Sequence, residues 1–271
     1  MAAGDRLHFI GTATTVVTLG SFTILTDPNF LHRGQRAYLG WGLSSRRLSD
    51  PAVRPEDLPP LDVVLLSHLH GDHFDRVSRE RLDRTPPVLS TRHATRRLDR
   101  WGFDTAALEP WDQHHLAKGS GGREEHLRVT AVPAVHARGL LGRMLPPVMG
   151  SVVEHVVDGA VRRSVYFSGD TLTGDHVDEV RRRFPDIDAA VVHLGGTRVL
   201  MRTVTMDAAM GVDFVERCRP SVVVPVHHDD YTVFRSPLSD FVDRATARGL
   251  GTRLRCPARG EVVSLDPDVP A

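Results

Sequence analysis

Ser67-His68-Leu69-His70-Gly71-Asp72-His73 follows the apolar run Val63-Val64-Leu65-Leu66. The run reads as a buried strand, and the histidines begin where it ends. In open α/β sheets, ligand sites lie beyond the carboxyl ends of strands. His68 and His70 are two positions apart, so in extended chain their side chains leave one face while Leu69 leaves the other. Gly71 lets the backbone turn sharply. Asp72 and His73 then aim at a second point beside the first. Neutral imidazole suits zinc, iron, nickel and copper, and a carboxylate extends the choice towards manganese. A solvated His-rich loop is the alternative. It leaves the coincidence of strand, glycine turn and ligand-type side chains unexplained.

The 271 residues suffice for one large domain or two small ones. Hydrophobic residues make up 41% and charged residues 25%, as in an ordinary soluble globular protein. Lys+Arg and Asp+Glu are both 34, giving zero net charge, whereas a dedicated nucleic-acid binder carries a basic excess. No apolar h-region opens the chain, so no secretory signal is expected. No apolar run approaches the roughly 18 residues of a membrane span. A cytoplasmic location is therefore expected, with Cys218 and Cys256 as free thiols.

Working outward, Leu7–Ile10, Thr14–Leu19 and Phe22–Thr26 read as short strands, and Gly20-Ser21 as a hairpin link. Asp27 is either a turn cap or an outer support for the metal site. Residues 29–60 read as a long irregular segment, of the kind that is functional or disordered. Its Tyr38 and Trp41 are candidates for a substrate wall, or for packing onto the core. Residues 109–122 read as a polar loop whose His114-His115 pair is solvated. Leu127–Val132 alternates as a strand and leads to His136. Residues 138–150 form a second irregular segment. Its Arg138 and Arg143 either hold an anionic group or pair with surface acids. Leu140, Leu141, Met144, Leu145 and Met149 either line an apolar pocket or fold onto the core. Asp158-Gly159 marks a hairpin whose second strand runs into Ser168-Gly169-Asp170-Thr171. Ala189–Val192 ends at His193. Thr205 is expected to cap a helix to about Arg217. Ser221–Val226 ends at His227-His228.

Strand ends thus supply HLHGDH at 68–73, His136, SGDT at 168–171 and His227, with strands and helices alternating in two similar halves that meet near residue 130. In these features the chain resembles the metallo-β-lactamase superfamily over nearly its whole length. GTATTVVTLGSFTILTDPNF at 11–30, VPAVH at 132–136 and VVHLGG at 191–196 resemble the branch containing N-acylphosphatidylethanolamine-hydrolysing phospholipase D and ascorbate-6-phosphate lactonase. The chain departs from that branch in its GTA at 11–13 and its HHDDY at 227–231. The resemblance implies an α/β fold, a four-layer αββα sandwich forming a single domain over 1–271, with metals at the edge between two facing sheets. It implies two divalent ions: zinc first, with manganese or iron as alternatives. His68, His70 and His136 would hold one and Asp72, His73 and His227 the other, with Asp170 bridging. His227 is chosen over His228 because it directly follows the apolar strand.

Two such ions share a hydroxide that attacks a carbonyl or phosphoryl centre at neutral pH. Asp72 is a candidate for relaying the proton. His193 and His228 are candidates for an oxyanion donor or general acid, or are satisfied structural histidines. The expected activity is hydrolysis of a small or lipid-like ester, lactone, amide or phosphodiester. Two alternatives are a nucleic-acid-processing phosphodiesterase, disfavoured by the neutral charge, and a non-hydrolytic binding or redox protein, disfavoured by seven intact ligands. The expected partner is a small-molecule or lipid-like substrate rather than nucleic acid. The oligomeric state, a homo-oligomer included, is left open.

Overall fold

The computed structural model describes residues 4–40, 42–120, 123–199 and 201–269. The chain opens with an antiparallel meander, β1 (Arg6–Gly11), β2 (Thr14–Leu19) and β3 (Phe22–Thr26). A small hairpin follows, β4 (Arg36–Gly40) and β5 (Leu43–Arg46). Strands and helices then alternate as β6 (Val63–Leu65), α1 (Arg76–Arg81), β7 (Val88–Ser90), α2 (Arg92–Leu98) and β8 (Thr105–Ala107). The second half contains β9 (Gln113–Ser120), β10 (Arg123–Pro133), α3 (Gly139–Met144), β11 (Met149–Val157), β12 (Ala160–Phe167) and α4 (Asp175–Arg183). It continues through β13 (Ala189–His193), the short pair β14 (Arg198–Val199) and β15 (Arg202–Thr203), α5 (Ala208–Cys218), β16 (Val222–Val226), α6 (Leu238–Ala247) and β17 (Val262–Ser264).

Two sheets result, with strand orders β17-β1-β2-β3-β6-β7-β8 and β16-β13-β12-β11-β10-β9. Three apolar clusters show how they stack. One is sandwiched between the sheets: Leu7, Val17, Ile24 and Leu65 meet Leu127, Val129, Val153, Val191 and Val224. A second lies outside the second sheet, where Tyr166, Val192 and Val223 meet Val177, Phe214 and Phe241 of α4, α5 and α6. A third lies outside the first sheet, where Leu25, Val64 and Val88 meet Ala94 and Leu98 of α2. The layers therefore run α-β-β-α. Strands buried on both faces explain the near-continuous apolar runs of β6, β13 and β16.

Some local expectations change. The segment 29–60 contains the β4–β5 hairpin, whose turn uses positive φ at Gly40 and Gly42. The polar stretch 109–122 is largely strand β9, paired with β10 at the sheet edge. The irregular segment 138–150 contains the single-turn-and-a-half helix α3. The cap of α5 is Asp207, whose side chain accepts from the Met210 N–H at 3.0 Å. Thr205 instead uses its hydroxyl to accept the Thr197 N–H at 2.8 Å. Both cysteines are free thiols. Among the described residues no helix is long and apolar enough to cross a membrane.

Candidate metal centre

Six strand ends converge on one edge of the sandwich. β3 delivers Asp27, β6 the Ser67–His73 turn, β10 His136, β12 Asp170, β13 His193 and β16 His227. The ligand atoms of His68, His70 and His136 lie within 4.8 Å of one another, as do those of Asp72, His73 and His227. Asp170 groups with His68 and His73 at the same limit, so it stands between the two trios. All seven residues are buried. His68 Nε2 and His70 Nδ1 face each other at 2.8 Å. His73 Nε2 is 3.3 Å from Asp170 Oδ2, and His227 Nε2 is 3.4 Å from Asp72 Oδ2.

Outer partners fix most of the rings. His136 donates from Nδ1 to the Val204 carbonyl at 2.9 Å, and His227 from Nδ1 to the Leu194 carbonyl at 3.1 Å. His68 Nδ1 meets the Ser67 hydroxyl at 3.0 Å. Asp27 is the support for His73: its Oδ2 lies 3.3 Å from His73 Nδ1, while its Oδ1 accepts the Ser67 N–H at 2.8 Å. Such bonds set the tautomer and aim the opposite nitrogen at an ion. Four buried ligand atoms have no hydrogen-bond partner: His70 Nε2, Asp72 Oδ1, His73 Nε2 and Asp170 Oδ1. Buried polar atoms are ordinarily paired. This concentration of orphans in one cluster of imidazoles and carboxylates fits divalent metal ions with nitrogen and oxygen ligands.

The electrostatics agree. Burial lowers the pKa of His68 well below the usual imidazole value, assisted by the charges of His73 and His70. Burial, then His136, brings His70 down to about 4, and burial also lowers His136. These are neutral imidazoles at pH 7, the form that binds metal. Burial works against the carboxylate of Asp170, but His227 and His73 outweigh it and hold its pKa well below normal. The same contest holds Asp27 low, through His73 and His193. Burial likewise opposes charge on His73, yet Asp170 and Asp27 on either side raise its pKa well above normal. Anionic carboxylates are thus ready where a cation would sit.

A cavity of about 420 Å³ opens over His70, Asp72, His136 and Asp170. Leu39 and Leu43 of the β4–β5 hairpin form one wall, Leu141, Met144 and Leu145 another, and Val199 and Val204 a third. Thr197, Arg198, Thr205 and Ser44 supply its polar points.

A model of the beta-lactamase superfamily domain matches residues 23–228. The chain belongs to this superfamily. The matched span includes all seven clustered residues and their supports Asp27 and His193. Over 268 residues the chain is 26% identical to a UPF0173 metal-dependent hydrolase of Archaeoglobus fulgidus, covering 97% of this chain and 96% of that one. It is 23% identical over 208 residues to another from Nanoarchaeum equitans, covering 76% and 86%. Among solved structures, an isothiocyanate hydrolase from Delia radicum gut bacteria superposes with a TM-score of 0.80 at 19% identity, covering 96% and 99%. The metallo-β-lactamase fold protein YhfI from Bacillus subtilis gives 0.59 at 13% identity. The four-layer sandwich is the metallo-β-lactamase fold of this superfamily.

Other residues singled out in the sequence sit elsewhere. His193 stands behind the cluster, with Nε2 3.2 Å from Asp27 Oδ2 and Nδ1 3.2 Å from the Ser168 hydroxyl. His228 is buried against Phe9, its ring 6.2 Å from that ring. Neither lines the cavity. Arg138 is exposed and donates to the Thr173 carbonyl at 3.2 Å. Arg143 is exposed on α3, and Tyr38 is 61% exposed and is not among the residues lining the cavity. Trp41 and the side chain of Leu140 lie outside the described residues. Leu141, Met144 and Leu145 line the cavity, while Met149 packs in the core between the sheets. Sequence reading missed the cavity lining by Thr197, Arg198, Val199 and Val204, whose only local signal is the paired glycines that precede them.

Proposed function

We propose that the chain is a metal-dependent hydrolase with two divalent ions, acting on a small or lipid-like ester, lactone, amide or phosphodiester with an apolar body. One observation carries this reading: seven buried ligand residues, four with unpartnered ligand atoms, beneath a largely apolar cavity. His68, His70 and His136 would hold one ion, Asp72, His73 and His227 the other, and Asp170 both. When bound, such ions polarise the scissile group and supply a nucleophile at neutral pH. The chain's own groups do the rest. Leu39, Leu43, Leu141 and Val199 exclude water and hold the apolar body. Asp72, with Oδ1 free of other partners, takes the proton released on attack. Val204 links the two tasks, since its side chain lines the cavity while its carbonyl orients His136. His193 acts through Asp27 as a positioning residue for His73.

The relatives' description as metal-dependent hydrolases supports this reading. The isothiocyanate hydrolase adds one electrophile to the assay. The test is metal analysis of protein purified without added metal, with the same sample assayed on lactone, phosphodiester, carboxylic ester and isothiocyanate panels. About two metals per chain are expected, with hydrolysis and most bound metal lost in Asp170→Ala. Metal near zero after reconstitution, in protein that is folded by circular dichroism, overturns the reading.

A further inference from the structure

His70 differs from the other clustered histidines in one respect. His68, His73, His136 and His227 each have a protein acceptor within 3.3 Å of the nitrogen that faces away from the cluster. The Nδ1 of His70 faces His68, but its Nε2 is buried with no partner. His70 is 92% buried by the complement of its 8% exposure. It also lines a second concavity, a groove of about 300 Å³ bordered by Arg36, Ala37 and Tyr38 of β4.

That groove is cationic. Arg36, Arg76, Arg79 and Arg97 line it, from β4, α1 and α2, over a floor that includes Phe74 and Trp101. Neighbouring arginines pair with acids, Arg81 with Glu56 and Arg92 with Glu109. Among the described residues, none of the four groove arginines has a carboxylate within the 4.0 Å that defines an ion pair. Arg79 is instead stacked over Trp101, its Cζ 4.9 Å from the ring centre, and Arg36 donates to the Ser44 hydroxyl at 3.1 Å. One carboxylate does line the groove, Asp75, but it is occupied by backbone N–H groups of Leu31, Val77 and Ser78 at 2.7–2.9 Å, and of Phe30. Four exposed guanidinia without a carboxylate partner thus line one concavity, and their planar forks suit phosphate or carboxylate oxygens.

We propose that this groove is a binding site for a phosphate-bearing anion, separate from the metal centre and sharing His70 with it. The anion bridges Arg76, Arg79 and Arg97. The site also touches the hairpin backbone. The Gly71 N–H donates to the Tyr38 carbonyl at 2.9 Å, and Tyr38 lines the groove while Leu39 lines the cavity. An occupied groove would therefore hold the cavity wall against the metal turn.

The experiment titrates pyrophosphate into the metal-loaded protein, read by calorimetry and by Trp fluorescence, with Trp101 as reporter. Saturable binding is expected, weakened about a hundredfold in Arg76→Ala/Arg97→Ala, since each of the two lost charge-assisted bonds is worth about tenfold. Arg97→Glu alone should also weaken it, since reversing one charge changes the net charge of the groove by as much as removing two. Metal content should be unchanged in both variants. Pyrophosphate held by the metal ions instead would bind the double variant as tightly as the parent, and that result overturns the proposal, as does the absence of binding at millimolar concentration. A parallel sedimentation with phosphatidylglycerol vesicles separates the sources of the phosphate. Pelleting that the double substitution abolishes assigns the site to a lipid headgroup, and no pelleting alongside pyrophosphate binding assigns it to a free ligand.

Discussion

Arg47→Met is the substitution that most directly tests how the centre is held in shape. Arg47 is fully buried and joins two loops that carry proposed ligands. On one side its Nη1 donates to the Asn29 carbonyl at 3.1 Å and to the Asn29 side chain, and Asn29 Nδ2 in turn donates to the Gly71 carbonyl at 2.8 Å, inside the metal turn. On the other side Arg47 Nη2 lies 3.8 Å from Asp230 Oδ1. Asp230 accepts the Thr12 N–H, and the Thr12 carbonyl accepts the His227 N–H at 2.7 Å. Removing one partner of a buried ion pair costs about 3–5 kcal/mol. Two features pull the cost to the lower end. Arg259 Nη2 remains at 2.8 Å from Asp230, so the carboxylate keeps a cation, and Met fills most of the vacated length. The expected loss is about 3 kcal/mol, well short of unfolding a protein of ordinary stability. Metal affinity should fall roughly tenfold, the scale of an outer-support defect. Urea unfolding followed by circular dichroism gives the first quantity and chelator competition the second. In a cycle with Asp230→Asn the double variant should be less destabilised than the sum by about 1–2 kcal/mol, since a neutral amide needs no cation. Additivity within about 0.5 kcal/mol, or unchanged metal affinity, would refute the coupling.

Three further outcomes follow from the same geometry. Gly71→Ala places a Cβ 2.7 Å from the Tyr38 backbone N and O, so the β4–β5 hairpin must retreat; a loss of about 1–3 kcal/mol and a raised KM through the displaced Leu39 are expected, measured by thermal unfolding and steady-state kinetics. Asp27→Ala removes the acceptor behind His73 and should weaken metal binding roughly 10- to 100-fold, read by chelator competition, with the fold retained. Burial raises the Cys218 thiol pKa above its usual value. Its contribution to stability is then complete below the unfolded-state thiol pKa of about 8.5 and is lost as pH rises above it. Urea unfolding should show about 1 kcal/mol lost between pH 8.5 and 9.5, a slope that Cys218→Ala flattens; an identical slope in that variant would remove the thiol as its cause.

Much of this was legible from local chemistry. The runs at 63–66, 189–192 and 222–226 are apolar on both faces because their strands lie between two layers, and ligands stand at their ends because the parallel strands all point one way. Asp158-Gly159 turns as its residues dictate, with both at positive φ. Failures occurred where periodicity was weak or contacts were distant. β9 hides in a polar stretch, since an edge strand buries only one face: His114, Leu116 and Lys118 are half-buried while Gln113, His115 and Ala117 are exposed. That alternation is visible once polar residues are allowed on both faces. The cavity wall was not legible in the same way. It joins Leu39, Leu141 and Val199 from three segments separated by about a hundred and by sixty residues, and no spacing within any one of them encodes the meeting.

The choice between His227 and His228 shows how backbone and ligand requirements meet. Adjacent residues leaving a strand send their side chains to opposite sides, so only one can face the His/Asp cluster. His227 turns inward with φ of +61°, a left-handed conformation that costs an ordinary residue of order 1 kcal/mol or more. Three contacts over-determine it: the N–H to Thr12, Nδ1 to the Leu194 carbonyl, and the ring against Phe234 at 4.5 Å. Strain of this kind persists only where the surroundings enforce it. One of the three, the bond to Thr12, belongs to the polar network that Arg47 and Asp230 hold together. The seventh residue of the cluster is therefore placed in part by residues far from it in sequence, through Thr12 and the buried ion pair behind it as well as through the strand that delivers it.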